Sequence, residues 1–248
     1  MAVKGITTRG RLLSLGLDAI SVEGLSGITL GGLASAACMS KSGLFAHFSS
    51  KEQLQLDLLD TMAQTATEHV VAPALTESEG LPRLCALVEH WLGWATRAGL
   101  RGGCPIAAAL FELDDLDGEV RTKVVAMESQ WRMLLLSLVN EAVKRGHLDS
   151  NIDAEQLVWE LCGIYLSHHA SSRLARDPAA GKRARIAFDA LLRRAGGIAP
   201  GCSQQAKNQT AVEQVRDDVP PVPNGAHVAR PFVTHRRGHY HDRPVLPS

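Results

Sequence analysis

Residues 28–54, ITLGGLASAACMSKSGLFAHFSSKEQL, constrain the fold of this chain more than any other stretch. Thr29 is a good N-cap for an apolar-periodic run made of Leu30, Leu33, Ala36 and Ala37. Cys38-Met39-Ser40 interrupts that period. Ser40 can cap a second short helix over 41–47, which carries Leu44 and Phe48 inward at i and i+4. Ser49 or Ser50 caps the next helix, with Glu52 close enough to strengthen it. Two stubby helices joined by a three- or four-residue turn form a helix-turn-helix, whose second helix can lie in a DNA major groove.

The rest of the chain extends this helical reading. From about residue 8 to 195 the apolar residues recur with a helical period, and no segment shows strand alternation. A first helix is expected over 8–22, with Leu12, Leu13, Leu15, Leu17, Ala19 and Ile20 as its core face and Gly24 ending it. A longer helix should run from 50–51 to about 71, stopped by Pro73. Pro82 opens a helix to about 98. Further helices are expected over 104–113, 118–145 and 153–174, and from Pro178 to the Gly196-Gly197 pair. The total is about nine helices, three in a head and six in a body. The fold class is therefore all-α.

From Ala199 onward the composition changes. The last 50 residues hold seven of the eleven prolines and four of the ten histidines, with no sustained period. Such a segment buries too little apolar surface to offset its ordering entropy, so 199–248 reads as a disordered tail. The expected domains are 1–50 for the head, 51–198 for the body, and that tail.

Charge and cysteine content exclude several classes. The formal net charge is zero, so bulk charge does not make the chain a polyanion binder. Residues 1–51 nevertheless carry five Lys/Arg against two Asp/Glu, a local +3 compatible with a DNA-reading head. No uninterrupted apolar run reaches membrane-spanning length, and no apolar signal segment opens the chain. Five scattered cysteines without a C-x-x-C pair read as reduced thiols in a cytoplasm.

Thr29, Leu33, Ala34, Ala37, Met39, Ser40, Gly43-Leu44-Phe45, His47-Phe48, Ser50-Lys51-Glu52 and Leu54 fall in register on one pattern. In these residues the chain resembles the DNA-binding domain of the TetR family of transcriptional regulators. Two positions depart from the family. Cys38 stands where the family has a glycine at a positive-φ turn, a cost of roughly 1 kcal/mol. Phe45 stands where a tyrosine hydroxyl often meets phosphate. In the body, Gly102-Gly103-Cys104-Pro105, Phe111-Glu112-Leu113-Asp114-Asp115 and Val120-Arg121 look like a recurring subgroup of TetR-type C-terminal domains.

The resemblance implies a homodimer that binds a palindromic double-stranded DNA operator and is released by a small-molecule inducer. It calls for no cofactor, metal or membrane, and for a cytoplasmic, non-enzymatic protein. It sets Lys41, Ser42, Gly43 and Ala46 toward the bases, and Thr29, Phe45, His47 and Lys51 beside the backbone; Ser40 caps the reading helix. Thr29 and Ser50 lie at helix N-termini, where free N–H groups suit a phosphate. Lys41 has the donor chemistry for guanine O6/N7. The resemblance also implies an inducer pocket in the body. The chain is only 4% aromatic, yet all four tryptophans fall there. Candidate lining residues are His90, Trp91, Trp94, Phe111, Met127, Trp131, Cys162 and Tyr165. Two alternatives carry their own residues. Cys38 and Phe45 would suit a small-molecule binder with weakened DNA recognition. Cys104, at a helix start where a thiol's pKa can fall, would suit a thiol-based sensor.

Overall fold

The computed structural model describes residues 7–197, and every regular element among them is helical. The head comprises α1 (Thr8–Glu23), α2 (Leu30–Ala36) and α3 (Lys41–Phe45). Each start is capped by a hydroxyl: Thr7 accepts from the Gly10 N–H, Thr29 from Gly32, and Ser40 from Gly43. Such caps satisfy one of the orphan N–H groups of a first turn and contribute about 1 kcal/mol each. Leu12, Ile20, Leu33, Leu44 and Phe48 close the small core, all at most 1% exposed.

The α2–α3 turn carries Cys38 at φ 54°. Cys38 N–H bonds to the Ser35 carbonyl and Met39 N–H to that of Ala34, the two hydrogen bonds of a Schellman ending. The motif thus keeps its left-handed residue with a side chain where glycine is cheaper.

The body begins with α4 (Lys51–Ala66), capped by Ser50. This helix does not run regularly to Val71 and stop. It passes into a π-helical stretch, Thr67–Val71, and then into a helical turn, α5 (Ala72–Ala74), that contains Pro73. The wider π turn precedes a residue that has no N–H to continue a regular ladder. The helix expected from Pro82 to about 98 is also broken. α6 (Leu81–Trp91) ends at Leu92, and α7 (Trp94–Arg97) starts after Gly93, whose φ of 72° cannot continue a right-handed helix. α8 (Pro105–Glu112), α9 (Glu119–Lys144), α10 (Ala154–Arg173) and α11 (Ala180–Arg194) follow. α11 starts two residues past Pro178, because Asp177 first turns the chain by accepting from the Ala179 N–H at 2.8 Å.

α9 packs on α4, α6 and α10, and α10 on α11, over one continuous apolar core. Glu89 of α6 is buried and pairs with Arg185 of α11 at 2.8 Å, which fixes α11 against the core. Cys38, Cys104 and Cys162 are free thiols. The expectation for 199–248 lies outside the described residues. Among the described residues no helix is long and apolar enough to cross a membrane.

Candidate DNA-reading helix and body cavity

α3 turns Leu44 into the core, so its remaining side chains face outward by the helical period. Lys41, Ser42, Phe45 and Ala46 are exposed, while Gly43 and His47 are half-buried. The Ser40 hydroxyl accepts from Gly43 N–H at 3.1 Å and pairs with the Ser42 hydroxyl at 3.1 Å. The Thr29 and Ser50 hydroxyls each accept one backbone N–H at 3.0 Å and keep their own O–H to donate outward. Lys51 is not a free cation in this state. Its Nζ donates to the Ser26 carbonyl at 2.7 Å, across the α1–α2 loop.

The second feature is a cavity of about 280 Å³ inside the body. Six of the eight candidate residues line it: Trp91, Trp94, Met127, Trp131, Cys162 and Tyr165. The other two do not. Trp91 faces inward on α6, and its neighbour His90 is half-buried and outside the lining. Leu110 takes the cavity side of α8, and Phe111 is turned out, 65% exposed. Trp159 is also outside, on the outer side of α10. Sequence reasoning missed the α4 wall, Met62, Ala63, Ala66, Thr67, Val70 and Val71, and the α8 wall, Ile106, Ala107 and Leu110. The missed residues are small or aliphatic and do not stand out from core in a sequence. The π stretch was the one irregular signal, and only the structure shows it.

The aromatic wall is tightly arranged. Trp91 stacks on Tyr165 with ring centroids 4.0 Å apart and 12° between planes, and meets Trp131 edge-on at 4.8 Å. Trp94 Nε1 donates to the Tyr165 hydroxyl at 3.1 Å. Burial pushes the Cys104 thiol up, outweighing the opposing influence of its polar neighbours. This reverses the lowering that its place before a helix suggested, because the side chain is wholly enclosed. Burial also raises Cys162 to about 11, with Arg132 opposing it, and holds Tyr165 well above the usual phenol range. Both thiols are therefore protonated near neutral pH, the unreactive form.

The two sites are joined by short polar contacts. Gln55 of α4 donates to the Leu25 carbonyl at 2.7 Å, and Arg9 of α1 pairs with Asp57 of α4 at 2.6 Å. On the other side, Arg101 pairs with Asp18 at 2.6 Å. The Gly102 N–H meets the Ser21 hydroxyl at 2.9 Å, and the Gly103 N–H meets the Ser21 carbonyl at 3.0 Å. A side chain at 102 would put its Cβ 1.7 Å from that carbonyl oxygen, so only glycine fits. At the end of α8, Glu112 accepts from the Ser26 N–H at 2.8 Å. The head is thus held by the helices α4 and α8 that wall the cavity. Gly102-Gly103 and Glu112 stood in the body motifs of the sequence, but nothing there showed what they touch.

This architecture has counterparts. The family model for bacterial regulatory proteins of the tetR family matches residues 12–58, and the tetracyclin repressor-like C-terminal domain matches 80–188. The chain belongs to the TetR family of DNA-binding regulators, which are not enzymes. It is similar to a TetR transcriptional regulator from Chloroflexus aurantiacus J-10-fl, at 25% identity and TM-score 0.67 over 75% of this chain and 92% of that one. It shares the fold of AibR, solved with isovaleryl coenzyme A and operator DNA, at 22% identity and TM-score 0.57 over 73% of this chain and 97% of that one. Among curated proteins, the nucleoid occlusion factor SlmA of Enterobacter sp. (strain 638) is 28% identical over 183 residues, covering 72% of this chain and 92% of the relative.

Proposed function

We propose that the chain is a cytoplasmic repressor that binds a palindromic operator as a homodimer and lets go when a small molecule fills the body cavity. The observation that carries this reading is the shared wall. α4 and α8 line the cavity, and both also grip the α1–α2 loop of the head. A ligand that parts them favours a different head position from the one DNA favours. Nothing more is needed for reciprocal coupling.

Residues 1–50 form the DNA-binding head, 51–198 the ligand-binding and dimerisation body, and 199–248 a tail. In the head, Lys41, Ser42, Gly43 and Ala46 face the bases. Thr29, Ser40, Phe45, His47 and Lys51 line the phosphate side, where Lys51 exchanges its Ser26 carbonyl for a phosphate oxygen. Cys38 keeps the left-handed turn, which removes one motive for a reading without DNA.

The dimer forms through α10 and α11. Their outer side carries Trp159 at 64% exposure, half-buried Ile164 and the small residues Gly163, Ala184 and Ala187 around a surface groove. An exposed tryptophan beside small side chains suits a packed four-helix interface. Two heads then enter successive major grooves, about 34–36 Å apart.

The test is an anisotropy titration of the full chain against duplexes from the DNA beside its own coding sequence. A palindrome bound by two chains, with a preference that changes in Lys41→Ala, is the expected result. Equal affinity for scrambled duplexes would sink the proposal.

A further inference from the structure

Two walls of the cavity reach the head by different routes. α4 follows the head directly in the chain. α8 lies far from it in sequence, and its route ends on one carboxylate. Ile106, Ala107 and Leu110 of α8 line the cavity, and Glu112, two residues past Leu110, is the last residue of that helix.

Glu112 is docked into the α1–α2 loop. Its Oε2 accepts the Ser26 N–H at 2.8 Å, across 86 residues of sequence. Its Oε1 lies against Gly24, where a Cβ would come within 2.2 Å of it. The carboxylate thus occupies the space that a side chain at 24 would take. Lys51, the first residue of α4, donates to the Ser26 carbonyl at 2.7 Å. One residue therefore receives α8 on its N–H and α4 on its carbonyl. Leu25 and Ile28, 0% and 2% exposed, seat this loop in the core, and Thr29 caps α2 three residues after Ser26. A shift at Ser26 is passed on to the start of the helix-turn-helix, because a loop packed on both sides cannot absorb it.

Helix stability does not account for this carboxylate. It stands at a helix C-terminus, where the dipole disfavours an anion, and no basic residue in the last turn offsets it. Asp114, Asp115 and Asp117 follow and add like charge. What offsets that cost is the contact with the loop. The other polar links between head and body are of different kinds. Arg9–Asp57 and Arg101–Asp18 use arginines 45% and 71% exposed, and such pairs are weak. The Gly102 and Gly103 bonds come from a stretch ahead of α8 that does not line the cavity.

We infer that Glu112 is a coupling residue: through its bond to the Ser26 N–H, a change in the α8 wall of the cavity is felt at the start of α2. The inference rests on the reading of this cavity as the ligand site that governs DNA binding.

The test needs no ligand, because Ala66→Phe fills part of the cavity from within. Operator affinity is measured by anisotropy in four full-length chains: native, Ala66→Phe, Glu112→Ala and the double variant. Ala66→Phe should weaken binding about tenfold in the native background and less than about twofold in the Glu112→Ala background. Glu112→Gln keeps an acceptor oxygen for the Ser26 N–H and should keep at least about fivefold of the effect. The Ser26 amide gives a readout that leaves Glu112 in place. Its hydrogen exchange should be at least about fivefold faster in Ala66→Phe than in the native chain, and this measurement decides if Glu112→Ala does not fold. A merely structural Glu112 would lower the melting point and leave the tenfold ratio intact. That persistent ratio, or an unchanged Ser26 exchange rate, overturns the inference and leaves the ligand-site reading standing. A native background that does not respond to Ala66→Phe overturns both.

Discussion

The head and the body use opposite strategies. In the head, Lys41, Ser42, Phe45 and Ala46 stand exposed on a five-residue helix. Their positions are set by a cap three residues from the N–H it serves. In the body, the groups that matter are buried and come from far apart in the chain. Trp91, Trp131 and Tyr165 meet across 40 and 74 residues of sequence. A surface that reads a rigid, charged partner can be built locally. A cavity walled by α4, α6, α7, α8, α9 and α10 needs the whole fold around it.

The largest expected effect lies at the junction of the two regions. Gly102→Ala sets a methyl group on the Ser21 carbonyl, with no flexible end to give way. It should cost about 3 kcal/mol or more, seen as a melting-point drop of many degrees. A near-neutral melt would mean that the loop and α1 are not held together as described.

Next comes the body face. Ile164→Asp puts a charge into the α10–α11 groove at a half-buried position on the margin of the monomer core, unlike Leu161, which is 2% exposed and inside it. Dimerisation should weaken by at least about 2 kcal/mol while the monomer stays folded. Light scattering of the native chain as a stable monomer at micromolar concentration would remove the dimer altogether.

Cys38→Gly tests the head alone. It relieves a side chain held at φ 54° and should stabilise the protein by about 0.5 to 1 kcal/mol, after the extra entropy of an unfolded glycine. Chemical denaturation reads this directly; destabilisation would show that the Cys38 side chain has a role the turn does not explain.

The smallest effect separates the regions by pH. Burial lowers the pKa of His168 and His169, aided at His168 by its neighbour His169 and at His169 by Arg173. Burial and then Arg97 lower that of His90. All three lie in the body. The unfolded chain takes up these protons near pH 6.5, the folded chain only below that. Stability is therefore fully present above pH 6.5 and declines as pH falls through the lowered values. Melts from pH 8 to 5 should show this decline, and hydrogen exchange should rise in α6 and α10 before α2 and α3. A head that loosens first would invert the comparison.

The same contrast explains what the sequence made legible. Thr29, Ser40 and Ser50 were readable as caps because a cap acts within three residues. The breaks at Gly93 and Thr67–Val71 were not, since periodicity continues across them while the backbone does not. Aromatic content pointed to most of the cavity wall, but not to which member of a neighbouring pair lines it: Trp91 does and His90 does not, Leu110 does and Phe111 does not. Which member turns in is decided by packing. The α4 wall of Ala63 and Ala66 carries no sequence signal at all, because an alanine that lines a void looks like an alanine that fills a contact.

The central claim is that occupying the cavity is felt by the head, and Ala66→Phe tests it without a ligand. Ala66 lines the cavity on α4, so a ring there fills part of the space that an inducer would take. Operator affinity, measured by anisotropy with dimerisation and melting checked in parallel, should fall by about tenfold, a coupling of roughly 1.4 kcal/mol. An affinity unchanged within twofold, in a folded dimer, would contradict the account.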